Sequence, residues 1–174
     1  MEVSVVLRPL KDFTEEDHKQ LAALRELVDF EVPAYQWTPV EQRPFRVLTW
    51  EDGKLVNHVA ILPRTVSVGG TPVKVGGISA VMTHPDARGK GYASAAMRRA
   101  AEFIRDDMTA DFGLLVCLDK RLPLYSRLGW QRIDDPAICA QESGTITIAM
   151  NSMYLPIRGG TWPTGTVDFS GPPF

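Results

Sequence analysis

Cysteine is nearly absent from this chain. Only Cys117 and Cys139 occur among its 174 residues, too few for a disulfide framework, and neither sits in a C-x-x-C pair. A reduced, intracellular and cytoplasmic setting is therefore expected, and no metal site. An excess of charge of one sign is also missing. Nineteen basic residues against 21 acidic ones leave a net charge of −2, so nothing in the balance points to nucleic acid or to an anionic membrane surface. Long apolar runs are missing too, the longest falling far short of the ~20 residues a membrane span needs. Met1-Glu2-Val3-Ser4-Val5-Val6-Leu7 lacks the basic n-region of a secretory signal. Two common phosphate motifs are absent as well. No run matches G-x-x-x-x-G-K-[ST], and Gly89-x-Gly91 is followed at position 94 by serine, not by the third glycine of a dinucleotide fingerprint.

What is present is an ordinary globular composition, 44% apolar and 23% charged, in a length that fits one domain over 1–174. Val3 to Leu7 is short and β-branched and reads as an edge strand. Thr14, followed three residues on by Asp17, has the spacing of a capping box. A helix with Leu21, Leu24, Leu27 and Val28 on one face should run to about Asp29. Glu31 to Pro44, with three prolines, Tyr35 and Trp37, reads as a loop, or a loop with a short helix. Phe45–Trp50, Leu55–Val68 and Pro72–Thr83 read as strands joined by the turns Glu51-Asp52-Gly53-Lys54 and Gly69-Gly70-Thr71, which implies an antiparallel meander. A helix is expected from about Gly91 to Asp106, with Ala93, Ala96, Met97, Ala100, Phe103 and Ile104 facing the core. Phe112 to Leu118 reads as a fully buried strand, and Cys117 within it as a core thiol. A short helix follows over Leu122–Leu128, stopped by Gly129, and a late strand over Thr145–Met150. The order of elements predicts a mixed α/β domain around one central sheet.

The stretch that carries chemistry is Val81-Met82-Thr83-His84-Pro85-Asp86-Ala87-Arg88-Gly89-Lys90-Gly91-Tyr92-Ala93. A strand ends, a proline turns the chain, and R-G-K-G-Y-A opens a helix. Gly89 and Gly91 can adopt positive φ, and the first helical turn presents free N–H groups and the positive end of the dipole. That combination suits a pyrophosphate, with Arg88 and Lys90 adding charge. His84, beside this turn, is expected to face solvent.

R-G-K-G-Y-A after V-M-T-H-P resembles the Arg/Gln-x-x-Gly-x-Gly/Ala acetyl-CoA signature of the GNAT (GCN5-related) N-acetyltransferases. Leu124-Tyr125-Ser126-Arg127-Leu128-Gly129-Trp130, one helix and one strand downstream, resembles the same family's aromatic-Tyr-x-x-x-Gly-aromatic segment. The resemblance covers about residues 3 to 150. It implies a mostly antiparallel sheet with splayed strands flanked by helices. Acetyl-CoA should be held by Val81, Met82, Thr83, Arg88, Gly89, Lys90, Gly91, Tyr92, Ala93 and Ser94. The Phe112–Leu118 strand should part from the Pro72–Thr83 strand to admit the cofactor. The Met82 N–H is expected to stabilise the thioester oxyanion, and Tyr125 to protonate the leaving thiolate. On spacing alone, Tyr125 reads as a packing residue on a short helix.

The acceptor is expected to be a small-molecule primary amine, acetylated by direct transfer. A catalytically silent acetyl-CoA sensor and a peptide acetyltransferase are the alternatives. The intact Tyr125 favours an enzyme, and a tail over 151–174 that closes on the pocket would favour a small acceptor. A homodimer is allowed, since many members of the family dimerise. Asp29, Glu31 and His58 are candidate bases, each also readable as an ordinary loop or strand residue. Asp168-Phe169 near an aromatic C-terminus resembles the end of aminoglycoside 2′-N-acetyltransferases, although Ser79 stands where that subgroup carries an acid. Tyr35, Trp37, Ser79, Asp168 and the Phe174 carboxylate are the further candidates for the acceptor pocket.

Overall fold

The computed structural model describes residues 1–174. Thr14 caps helix α1 (Glu15–Glu26) as the spacing predicts: Thr14 Oγ1 accepts from the Asp17 N–H, and Asp17 Oδ2 accepts from the Thr14 N–H. Arg8 of strand β1 (Val3–Pro9) pairs with Asp17 and ties the cap to the sheet. The helix stops at Glu26, with Leu27 as its C-cap, about three residues sooner than the apolar spacing suggests. Leu27 is 51% exposed and offers no burial to extend the helix.

Strands β2 (Phe45–Glu51), β3 (Lys54–Val68) and β4 (Thr71–Thr83) form the expected meander, with β1 added antiparallel to β2. Strand β3 runs through Pro63 unbroken. Its pairing with β2 ends at Ile61, and a different partner begins only at Ser67, so the missing proline N–H falls where no neighbour needs it. Helix α2 (Tyr92–Asp107) packs Ala96, Met97, Ala100, Phe103 and Ile104 against β2, β3 and β4. The approach is close enough that a Cβ on Gly76 would lie 2.6 Å from Ile104.

Strand β5 (Phe112–Cys117) then pairs parallel with β4, and helix α3 (Leu122–Arg127) follows with Pro123 in its first turn. The last part of the chain departs from the sequence reading. It holds β6 (Gln131–Ile133), β7 (Ala137–Gln141), β8 (Gly144–Thr147), β9 (Asn151–Pro156) and β10 (Val167–Asp168). The late strand expected over Thr145–Met150 is β8, which starts one residue sooner and stops at Thr147, and the tail expected over 151–174 opens with a further strand, β9. The ten strands form one mixed sheet in the order β6-β9-β5-β4-β3-β10-β7-β8, with β2 and β1 branching from β3. Only β4·β5 and β7·β10 are parallel. The core lies in two main clusters, one under α2 and one between the far strands and the aromatic residues Phe169 and Phe174.

Candidate active site

The parallel pairing of β4 with β5 covers only Val75–Gly77 against Phe112–Leu114. Beyond it, β5 stays bonded to β9 as far as Cys117, while β4 stays bonded to β3. The two strands therefore fork, as the resemblance implies. A β-bulge lies at the fork: His58 pairs with Met82 but Ala60 pairs with Ser79, so β4 carries an extra residue there. Ala80, inside the bulge, takes φ +47°, a left-handed conformation that costs a non-glycine residue about 1–3 kcal/mol unless its surroundings impose it.

His58 imposes it. Its Nδ1 lies 2.8 Å from the Ala80 carbonyl and its Nε2 lies 3.2 Å from Arg46 Nη1. A guanidinium can only donate, so Nε2 accepts and the proton sits on Nδ1, donated to Ala80. Burial, followed by the Arg46 charge, lowers the His58 pKa to about 3. His58 is therefore a neutral strut behind the bulge and does not line the cavity, which removes it as the acceptor's base.

A cavity of about 250 Å³ opens where the strands part. Ile78, Ser79 and Val81 line it from β4, Leu115 and Cys117 from β5 and Tyr125 from α3, and residues 28–32, Trp37, Arg43 and Phe174 border the rest. Tyr125 is buried, edge-on to Trp130 at 6.4 Å, and burial above all raises its phenol pKa, with the nearby Cys117 adding to the shift. Burial likewise pushes the Cys117 thiol up to about 11, so it stays protonated at neutral pH. Glu31 is tied to Lys120, which lowers its carboxyl pKa.

The structure thus brings Asp29, Glu31, Trp37, Ser79, Val81, Tyr125 and Phe174 to one cavity. It places three other candidates elsewhere. Asp168 lies on β10, where its carboxylate accepts from the Ser170 N–H. The Tyr35 hydroxyl accepts from the Ala149 N–H. The Met82 side chain is buried with Leu24, Leu48 and Leu55, and its backbone does not face the fork. The His84 N–H donates to the Val56 carbonyl. The two-residue alternation of an antiparallel ladder then turns the polar groups of Met82 toward β3 and leaves those of Val81 and Thr83 on the open edge. The Met82 carbonyl accepting from Asn57 Nδ2 at 2.8 Å agrees. The Met82 N–H, expected to face the thioester, therefore faces β3, and the backbone groups on the fork side are those of Val81 and Thr83.

At the other end of the fork, Gly89 and Gly91 have φ of +78° and +81°, and nothing lies within 4 Å of where their Cβ atoms would be. Gly91 is the N-cap of α2 without a side-chain cap, so the first-turn N–H groups of Tyr92, Ala93 and Ser94 are left without helical partners. This open cradle fits a diphosphate. Lys90 is committed elsewhere: it pairs with Glu51 at 2.9 Å, and Glu51 also accepts from the Tyr92 hydroxyl at 2.6 Å. Arg88 is exposed and takes part in no ion pair. His84, expected in solvent, is 7% exposed, and its Nδ1 accepts from the Asp86 N–H at 3.2 Å.

Sequence reasoning missed Arg25, Arg43, Lys120 and Arg121, all of which line the cavity. They come from a helix end, a proline-flanked loop and the turn before α3, where no periodicity marks a facing side chain.

Comparison with known proteins agrees with this geometry. Residues 9–133 match the family described as acetyltransferase (GNAT) domain. A GNAT family acetyltransferase from Brucella melitensis, solved in complex with acetyl-CoA, superimposes with a TM-score of 0.63 at 18% identity over 96% of each chain. An acyl-CoA N-acyltransferase from Pseudomonas aeruginosa gives 0.61 at 17% identity, over 88% of this chain and 99% of the other. A GCN5-related N-acetyltransferase from Kribbella flavida gives 0.57 at 20% identity over 75% of this chain, which matches only 34% of that longer protein. At these identities the structural likeness speaks for the fold, and the family match supplies the rest: the chain belongs to the GNAT acetyltransferases.

Proposed function

We propose that this chain transfers the acetyl group of acetyl-CoA directly to a primary amine of a small molecule. The observation that carries the reading is the placement of Tyr125 in the cavity where β4 and β5 part. Acetyl-CoA, when bound, supplies the activated acyl group. The open edge at Val81 and Thr83 offers backbone groups for its pantetheine arm, and the Arg88–Gly91 loop with the first turn of α2 suits its pyrophosphate. The Val81 N–H, held by the His58-braced bulge, is a fixed donor for negative charge developing on a carbonyl oxygen. Tyr125 keeps its proton because burial disfavours the phenolate, so its hydroxyl can hand that proton to a departing thiolate. Cys117, with its thiol held protonated, is a poor nucleophile, which supports direct transfer over an acyl-enzyme. Glu31 is engaged by Lys120, which leaves Asp29 as the unpaired carboxylate to take the proton of an entering ammonium. A small acceptor is supported by the way the last residues and the Trp37 loop narrow one side of the cavity. The loop carrying Trp37 is held against Pro173 by the Thr38 N–H and hydroxyl, both 2.9 Å from the Pro173 carbonyl.

The test follows coenzyme A release over a panel of amines for wild type and Tyr125→Phe, with acetyl-CoA binding measured by calorimetry. Turnover on one class of amine is expected. The variant should lose about 10²-fold or more in kcat, the usual range for removing a general acid, while still binding acetyl-CoA. A wild-type protein that does not bind acetyl-CoA would overturn the reading. A variant with undiminished kcat would remove Tyr125 as the acid.

A further inference from the structure

Three arginines, Arg25, Arg43 and Arg46, gather on the acceptor side, and none of them belongs to an ion pair. Each nitrogen of Arg46 has a partner. Its Nε donates to the Arg43 carbonyl at 3.1 Å, its Nη2 to the Val40 carbonyl at 3.0 Å, and its Nη1 to His58. It thereby fixes the turn that carries Arg43. Arg43 is not used: it is 7% exposed, lines the cavity, and its Nε is buried without a hydrogen-bond partner. Burial and then the charge of Arg25 lower its pKa. A mostly buried, unpaired guanidinium is costly, and an anionic group that reaches the part of Arg43 lining the cavity would offset that cost. The rest of the wall agrees in sign. Arg25, Arg43, Lys120 and Arg121 face the cavity against Asp29 and Glu31, and Glu31 is already paired with Lys120.

Resting on the acetyltransferase reading, we propose that the acceptor is an amine that also carries a carboxylate, bound by the Arg43 guanidinium with Arg25 at the rim. A planar guanidinium meets a carboxylate through two parallel hydrogen bonds, and Asp29 on the same wall suits the ammonium end of such a zwitterion. A polycation such as an aminoglycoside would meet a wall of net positive charge. Of the small amines left open by the resemblance at Asp168-Phe169, an amino-acid-like acceptor suits this wall better than an aminoglycoside.

The experiment compares amines in matched pairs: phenylalanine with phenylalaninamide, glycine with glycinamide, and phosphoethanolamine with ethanolamine. Coenzyme A release is followed for wild type, Arg43→Gln and Arg43→Lys. Wild type is expected to prefer the carboxylates over their amides at least tenfold in kcat/KM. Arg43→Gln should abolish that preference, and Arg43→Lys should keep only part of it. No preference in wild type, or a preference that survives Arg43→Gln, overturns the proposal. A preference for phosphoethanolamine above the carboxylates overturns the carboxylate assignment.

Calorimetry separates the layers. Succinate titrated into wild type should bind at least tenfold more tightly than into Arg43→Gln, whether or not any amine in the panel turns over. Equal binding overturns the proposal, whereas failure of acetyl-CoA to bind removes only the reading beneath it. Should Arg43→Gln fail to fold, Arg25→Gln at the exposed rim serves in its place, with a several-fold weakening of succinate expected and unchanged succinate binding counting against the site.

Discussion

A histidine can act as a base only where its ring can hold a proton near neutral pH, and the surroundings of His58 prevent that. Arg46 occupies Nε2 as a donor, the Ala80 carbonyl takes the Nδ1 proton, and the ring is fully buried. The pKa falls from 6.5 to about 3, so between these values the unfolded chain binds a proton that the folded chain refuses. Stability from this residue is thus complete above pH 6.5 and is lost as the pH falls toward 3. Between pH 7 and pH 5 the loss should be about 2 kcal/mol. Urea unfolding at the two pH values should show it, and His58→Gln should flatten the difference. An unchanged slope in the variant would mean that His58 is protonated or solvated in the fold. None of this is legible in Asn57-His58-Val59, because the partners come from β2 and the bulge of β4. Arg43 was hidden for the same reason, whereas Tyr125 showed itself through the spacing of the residues around it. Its burial, which keeps the phenol protonated, emerges only from packing against Trp130.

The elements with long period were legible. The apolar face of α2, the capping box of α1 and the strands of the meander all stand where periodicity places them. The short strands were not, because β6 and β10, with three and two residues, have no period to read. The fork between β4 and β5 was implied by family likeness alone, since its opening depends on where pairing stops. At the loop before α2, sequence treats Arg88 and Lys90 alike and the structure separates them. Lys90 is bound to Glu51 and Arg88 is free. A phosphate contact from Lys90 would have to replace an existing pair, so its net gain is small. Arg88→Ala should therefore weaken acetyl-CoA binding about tenfold, the worth of a charge-assisted hydrogen bond. Lys90→Ala should weaken it only about two-fold. Calorimetric titration of both variants decides it, and equal losses would show that Lys90 leaves Glu51 when the cofactor binds.

At the scale of the whole molecule, the last residues join the acceptor wall to the sheet. Arg64, on β3, donates to the Pro172 carbonyl at 2.6 Å and to the Thr38 hydroxyl at 2.9 Å, and its guanidinium lies 4.7 Å from the centre of the Phe174 ring. Phe174 is 3% exposed, packs at a tilt against Phe169 with ring centres 4.9 Å apart, and lies so close to β4 that a Cβ on Gly77 would come within 2.8 Å of it. A glycine in mid-strand weakens a sheet, and here its lack of a side chain makes room for the ring that lines the cavity. Phe174→Ala should therefore act twice. Loss of the buried ring should destabilise the fold by about 3–5 kcal/mol, read from urea unfolding. Loss of the cavity wall should raise KM for the acceptor amine. Acetyl-CoA affinity should hold, because the Arg88–Gly91 loop makes no contact with this ring. Phe174→Leu, which refills part of the volume, should recover part of both effects. If acetyl-CoA binding fell in parallel with stability, the ring would be supporting the β4–β5 fork itself, and the acceptor wall would not be separable from the cofactor site.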